Sequence, residues 1–181
     1  YNWIVKPSGC SLKHSVIATP GGSGAVAMTI SEILDEHETL ILPEIAWGSY
    51  QLMATMDNIE TMKYSLFDGD GFNLESFQQA CRACMDKQQK VCAIINDPCH
   101  NPTGYSMSHD EWKAIIEFVN ELSKEGPVIL LNDIAYIDFS YDLAHSRDYM
   151  KVFDNISDNV FVIVAFSTSK SLTSYGLRCG A

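Results

Sequence analysis

The chain has 181 residues, enough for one domain with a sizeable core, and its 46% hydrophobic and 19% charged residues are a globular balance. A formal net charge of -11 argues against a nucleic-acid partner, because a phosphate backbone is bound by a basic surface. No apolar run approaches the roughly 20 residues of a membrane span. The N-terminus carries no signal-peptide pattern, so we expect a cytoplasmic protein without a membrane partner.

In chain order, residues 1–14 show no clear period, and Ser15 to Thr19 reads as a short strand. Pro20-Gly21-Gly22-Ser23-Gly24 then forms a glycine-rich turn feeding a helix whose apolar face carries Val26, Ile30, Ile33 and Leu34. A helix start of this kind presents free N–H groups and partial positive charge, which suits an anion. It is not a Walker A loop, since no Gly-Lys-Ser/Thr follows. Thr39 to Leu42 is a buried strand ended by Pro43, and Trp47 to Met56 has helical character. Met62 to Phe67 is a further strand, closed by the turn Asp68-Gly69-Asp70-Gly71. Asn73 is the N-cap of a helix running to about Gln88.

Val91 to Ile95 is a continuous apolar strand that runs into the irregular loop Asn96 to Gly104. Ser108 and Glu111 form a capping box for a helix with Trp112, Ile115, Ile116, Val119 and Leu122 on one face, stopped by Gly126-Pro127. Val128 to Leu131 is buried strand with Asp133 just past its end; Tyr149 to Ile156 is helical; Val160 to Phe166 is the last strand, ending in Ser167-Thr168-Ser169-Lys170. Strands that are apolar throughout, alternating with helices, predict a three-layer α/β/α sandwich with a largely parallel central sheet.

The six cysteines, Cys10, Cys81, Cys84, Cys92, Cys99 and Cys179, are expected to be free thiols. Cys81 and Cys84 lack a second ligand pair at zinc-finger spacing, so no metal site is expected.

The polar residues that stand out all follow strands: Gly22 to Gly24, Asn101, Asp133 with Tyr136, and Ser167 to Lys170. In an open parallel sheet, ligands bind beyond the carboxyl ends of the strands. An amine at the exit of a buried strand is disfavoured in its charged form, which is what a Schiff-base nucleophile needs. The hydroxyls beside it and Arg178 suit a phosphate. Any one of these residues alone reads as a turn, cap or core residue; their arrival at one edge does not.

The ordered set Asn101-Pro102-Thr103-Gly104, Asp133-Ile134-Ala135-Tyr136, and Ser167 to Lys170 with Arg178 resembles the class I/II aminotransferases, pyridoxal-phosphate enzymes of the aspartate aminotransferase fold. The resemblance runs from about Thr19 to Ala181. It implies that Lys170 holds pyridoxal 5'-phosphate as a Schiff base and carries the proton of the substrate Cα. Asp133 would pair with the ring nitrogen, and Tyr136 and Asn101 would hydrogen-bond the ring oxygen. Trp47 and Ala135 would cover the two ring faces. Gly22, Ser23, Ser167 and Arg178 would bind the phosphate. The Asn101–Pro102 bond is often cis in relatives.

Trp47-Gly48 and His100 to Gly104 resemble the aspartate and aromatic branch. The sequence departs from it at Tyr50, where that branch usually has histidine, at Gly21, where it often has serine, and at Leu177, in place of a common glutamate. The resemblance implies an amino acid and a 2-oxo acid as substrates, a role in amino-acid metabolism, and a homodimer. A pyridoxal-phosphate lyase (C–S β-lyase or decarboxylase) on the same scaffold, and a cofactor-free α/β binding domain, stand as alternatives. Residues 1–181 are expected to be a single cofactor-binding large domain without the family's N-terminal arm and C-terminal small domain, and so inactive alone.

Overall fold

The computed structural model describes residues 2–181. A single helical turn, α1 (Val5–Ser8), ends at Gly9 in the left-handed conformation, φ +72°. The chain then runs without regular structure to residue 18. The strand expected over Ser15 to Thr19 is therefore reduced to its last residue, in β1 (Thr19–Pro20). The reason is the lack of a sheet neighbour: Val16 and Ile17 are 58% and 68% exposed, so their β-branched side chains join neither apolar cluster.

Helix α2 (Gly21–Ile33) begins at the first glycine, so the glycine-rich stretch forms the helix's own first turn and not a loop before it. Strand β2 (Thr39–Pro43) is buried throughout, and α3 (Ser49–Met56) follows. Next come β3 (Glu60–Tyr64) and a small hairpin of β4 (Phe67–Asp68) with β5 (Gly71–Phe72). Helix α4 (Leu74–Gln88) is capped by Asn73, whose side chain accepts the Ser76 N–H at 2.9 Å.

After β6 (Val91–Asn96), α5 (His109–Leu122) opens on the expected capping box: Glu111 N–H donates to Ser108 Oγ at 3.2 Å and Ser108 N–H to Glu111 Oε2 at 2.7 Å. The helix ends on Ser123, earlier than the Gly126-Pro127 stop. Gly126 serves packing instead, since a Cβ there would run into the Gln89 carbonyl.

Strand β7 (Val128–Asp133) includes Asp133 as its last residue. A 3-10 turn (Ile137–Phe139) follows, and the helix expected over Tyr149 to Ile156 is a 3-10 helix, Asp148–Asn155, with Tyr149, Met150, Val152 and Phe153 buried. Then come β8 (Val160–Ala165), the one-turn helix α6 (Thr168–Ser171), a 3-10 turn (Tyr175–Leu177) and β9 (Cys179–Gly180).

The five long strands form one parallel sheet in the order β3-β2-β6-β7-β8. Successive side chains point to opposite faces, and two separate apolar clusters result. Ile41, Val91, Ala93, Ile95, Val128 and Leu130 join the cluster containing residues of α4, α5 and the Asp148–Asn155 helix. Leu40, Leu42, Cys92, Ile94, Ile129 and Leu131 join residues of α2 and α3 on the other face. Each fully buried Leu or Ile contributes about 1.5–3 kcal/mol. This is the expected three-layer sandwich.

The flanking strands are less apolar or less covered than the central ones, as edge strands are: β3 is half-exposed, and Phe161 of β8 is 59% exposed. Outside the main sheet, β1 and β9 pair antiparallel, with Thr19 opposite Gly180 and Pro20 opposite Cys179. Among the described residues no helix is long and apolar enough to cross a membrane.

Candidate active site

The sheet order reverses between β2 and β6. The chain leaves β2 sideways to β3, whereas β6, β7 and β8 build in the other direction. The crevice beyond the carboxyl ends at such a switch point is where open α/β sheets hold ligands. A cleft lies there, lined by Gly22, Ser23, Trp47, Asn101, Asp133, Ala135, Tyr136, Ser167, Lys170 and Arg178, the residues singled out from the sequence. Four further residues, Tyr50, Asn96, Ser169 and Tyr175, complete the lining. The elements differ from expectation in one respect: Gly22 and Ser23 enter from the β1–β9 ribbon and not from a strand of the main sheet.

Asp133 forms the floor of the cleft. It is 6% exposed, stands in register with Asn96 of β6 and Ala165 of β8, and its two oxygens are held separately. Tyr50 Oη donates to Oδ2 at 2.6 Å and the Ala135 N–H donates to Oδ1 at 3.0 Å. Burial pushes the carboxyl above the usual carboxylate range, and these two hydrogen bonds oppose that rise without cancelling it. Burial, then the Asp133 charge, pushes the Tyr50 phenol well above its ordinary value, so it is a neutral donor at any working pH.

Asn96 ties the neighbouring loop to the same point. Its Nδ2 donates to the Asp133 carbonyl at 2.8 Å, and its Oδ1 accepts the Asn101 N–H at 2.7 Å. The Asn101–Pro102 peptide is cis, as is Asp97–Pro98. Asn101 thus reaches the cleft through a side chain on the last residue of β6.

Lys170 enters from the other side. Ser167 caps α6 by accepting the Ser169 N–H at 3.1 Å, and this single turn carries the lysine from the end of β8 into the cleft. Its Nζ lies 5.4 Å from the Tyr136 ring centroid and 4.8 Å from that of Tyr175, within reach of a cation–π contact with each. Trp47 stands edge-on to Tyr50, with centroids 5.3 Å apart and planes at 88°.

The third part is a cradle of donors. The free N–H groups of the first turn of α2 meet the Arg178 guanidinium, whose Nη1 donates to the Tyr175 carbonyl at 3.1 Å and whose Nη2 donates to the Pro20 carbonyl at 3.4 Å. The contact needs glycine at position 21: its φ is +80°, and a Cβ there would stand 2.5 Å from Arg178 Nη2. Arg178 itself is left-handed, φ +48°. With the Ser23 and Ser167 hydroxyls nearby in the lining, this donor set fits a phosphate.

Asn96 has no role in the sequence reading, and Tyr50 figures there only as a departure from the branch's usual histidine. Tyr50 carried a signal, three positions after Trp47 on a helical start, but its partner is 83 residues away. Asn96 ends an apolar strand as an asparagine, which reads equally well as a turn residue.

A family model described as aminotransferase class I and II matches residues 4–181. The aspartate aminotransferase of Salmonella typhi is 25% identical over 165 residues, covering 90% of this chain and 40% of that protein. The histidinol-phosphate aminotransferase of Chlorobaculum tepidum is 26% identical over 170 residues, covering 93% and 43%. Among solved structures, an aminotransferase from Anaerococcus prevotii superposes with a TM-score of 0.88 at 37% identity, over 91% of this chain and 41% of that one. The chain thus spans about two fifths of the length of the relatives it matches.

Proposed function

Since the chain belongs to the aminotransferase class I and II family, a family of pyridoxal-phosphate enzymes, we propose that its cleft is a pyridoxal 5'-phosphate site and that the protein transfers an amino group between an amino acid and a 2-oxo acid. The observation that carries this reading is the meeting of three kinds of group in one cleft: an amine, a buried carboxylate, and a guanidinium beside a helix N-terminus. Each fits one feature of that cofactor: Lys170 its aldehyde, Asp133 its ring nitrogen, and the Gly21–Gly22 turn with Ser23, Ser167 and Arg178 its phosphate.

When bound, the cofactor supplies an electron sink for the substrate's Cα. The chain's residues do the rest. Asp133, on the cleft floor, would hold a positive charge at the ring nitrogen. Asn101 and Tyr136 donate to the ring oxygen, and Trp47 and Ala135 enclose the ring. Lys170 Nζ would be the base that takes the proton from the substrate Cα and the acid that delivers it to the cofactor's former aldehyde carbon.

The chain is read as the cofactor-binding domain, acting in amino-acid metabolism in the cytoplasm. Relatives named for aspartate and for aromatic amino acids support an aspartate or aromatic amino donor. Leu172, Tyr175 and Leu177, 60%, 53% and 77% exposed beside the cleft, support a homodimer that covers them.

The test uses the full-length protein expressed with pyridoxal phosphate. A near-ultraviolet or visible band, and after borohydride reduction a stable mass increment on the Lys170 peptide, are expected, and Lys170→Ala should lack both. Amino transfer from aspartate or aromatic amino acids should appear without stoichiometric pyruvate or ammonia release. A colourless protein with no modified lysine would sink the cofactor site. A coloured protein that releases ammonia and pyruvate instead would assign a lyase.

A further inference from the structure

Next to the turn that carries Tyr136 lies a buried ion pair that no role above uses. Arg147 is 9% exposed, and each nitrogen of its guanidinium donates: Nη2 to Asp138 Oδ1, Nη1 to Ser146 Oγ at 2.8 Å, and Nε to the Trp3 carbonyl at 3.0 Å. We infer that Asp138, held by Arg147, is a positioning residue for Tyr136 and Lys170: it fixes together the two turns that aim these side chains into the cleft. This role rests on the proposed cofactor site.

Three features of the geometry carry it. First, Asp138 stands two residues past Tyr136, inside the 3-10 turn Ile137–Phe139. That turn is tied where it leaves the sheet: the Ile134 N–H donates to the Ala165 carbonyl at 3.0 Å, and the Phe139 N–H to the Tyr136 carbonyl at 2.9 Å. Its far end is exposed at Phe139, so the Asp138–Arg147 pair supplies the second anchor. Second, α6 packs against this same turn. Ser171, the residue after Lys170, turns a buried hydroxyl toward the Asp138 carboxylate; the oxygen makes no hydrogen bond of good geometry, so the contact is electrostatic. Burial raises the Asp138 carboxyl, and Ser171, Arg147 and the Trp3 indole outweigh it and hold the group below the ordinary carboxylate range.

Third, Lys170 Nζ makes no hydrogen bond or ion pair among the described residues and faces the Tyr136 and Tyr175 rings instead. A carboxylate in the adjoining turn would attract an ammonium. Here Arg147 takes Oδ1 and the Trp3 Nε1–H donates to Oδ2 at 3.4 Å, so the anion is already satisfied and the amine stays in the cleft. Stability alone does not require such a pair, since apolar side chains of similar size often serve a fold as well. What they would not supply is direction: the planar guanidinium holds the carboxylate, and with it the turn, in one orientation.

The test uses the full-length protein loaded with pyridoxal phosphate and follows two quantities, the melting temperature and the pH midpoint of the cofactor's visible band. A donor to the ring oxygen stabilises it as an anion and weakens its hold on the neighbouring Schiff-base proton, so a displaced Tyr136 raises the midpoint. Asp138→Ala strands a buried guanidinium and should melt lower. Asp138→Ala with Arg147→Met removes both charges and should recover most of the melting temperature. In both proteins the midpoint should rise by about one pH unit, a tenfold change in the proton equilibrium. Adding Tyr136→Phe to the double variant should shift it by less than Tyr136→Phe shifts wild type, because the two changes act on one contact.

A double variant that regains the wild-type melting temperature and keeps the wild-type midpoint overturns the inference, since the pair would then serve stability alone. If Asp138→Ala does not fold, the double variant decides by the same reading. If neither folds, Arg147→Lys decides: it keeps the charge without the planar fork, a raised midpoint supports the inference and an unchanged one overturns it. A wild type with no visible band overturns the cofactor reading instead, an outcome distinct from a coloured wild type whose midpoint the double variant shares.

Discussion

Two buried aspartates stand at the ends of neighbouring strands, and their likeness makes the difference between them informative. Asp97 follows β6 and is 2% exposed; Asp133 ends β7 and is 6% exposed. Each carboxylate accepts two hydrogen bonds from the protein. Asp97 takes the Met107 N–H at 2.7 Å and the Trp112 Nε1–H at 2.8 Å. Asp133 takes the Ala135 N–H and the Tyr50 hydroxyl. Yet Asp133 lines the cleft and Asp97 does not. Asp97 closes a polar network turned inward, toward Asn132, Tyr149 and α5; Asp133 opens a similar arrangement outward. Burial and hydrogen bonding alone therefore do not mark a functional carboxylate. The difference lies in what each borders: Asp133 lines the wide cleft at the sheet's switch point, Asp97 only a small separate cavity.

If the comparison is right, the two sites should fail in opposite ways. The largest effect is expected from Asp133→Asn in the full-length protein: the proposed amino transfer falls by at least about a hundredfold, as when a preorganised charge is removed from a site. Its urea midpoint stays close to wild type. Asp97→Ala should do the reverse. It leaves the Trp112 indole and the Met107 amide without acceptors and lowers stability by about 3 kcal/mol, with turnover per folded molecule unchanged. A loss of turnover from Asp97→Ala without loss of stability would erase the distinction.

The next effect is one of pH. Burial pushes the Asp97 carboxyl from an ordinary 3.8 up to about 7. Between those values the folded protein holds a proton that the unfolded chain has released. The stabilisation is fully present below about pH 4 and is lost as pH rises through about 7, at up to about 1.4 kcal/mol per unit. Urea unfolding of wild type and Asp97→Asn from pH 4 to 8 should therefore show a stability difference that shifts against wild type as pH rises. A constant difference would mean that Asp97 stays ionised.

The smallest effect is expected from Tyr149→Phe. Its hydroxyl donates to Asn132 Oδ1 at 2.6 Å, while its ring keeps its stacking on Trp112, centroids 5.1 Å apart. The cost should be about 1 kcal/mol in unfolding free energy, with cofactor affinity unaltered.

These contrasts also explain what the sequence made legible. Helix starts were readable because caps are local: Asn73 and Ser108 satisfy N–H groups three residues away. Central strands were readable because a strand covered on both faces has to be apolar in unbroken series, as Val91 to Ile95 is. Lys170, Asp133 and Asn101 could be picked out because each follows such a strand. Other features take their meaning from contacts far along the chain. Val16-Ile17 has strand chemistry but finds no partner strand, and pairing is a property of the whole sheet. The Asp148–Asn155 segment has a buried face compatible with either helical pitch. Tyr50 acquires its meaning only from a carboxylate far along the chain, and the inward-facing Asp97 looks as functional in sequence as Asp133 does.

The short β1–β9 ribbon has a consequence of its own. Pro20 and Arg178, which share a hydrogen bond across it, are 158 residues apart. An anion held by the first-turn N–H groups of α2 and the Arg178 guanidinium would tie these distant segments together, and whatever binds the folded form alone stabilises it. At a free concentration a hundred times its dissociation constant, such a ligand adds about 2.7 kcal/mol to stability. The proposed phosphate cradle would thus also fasten the β1–β9 ribbon, and limited proteolysis should slow when inorganic phosphate fills it.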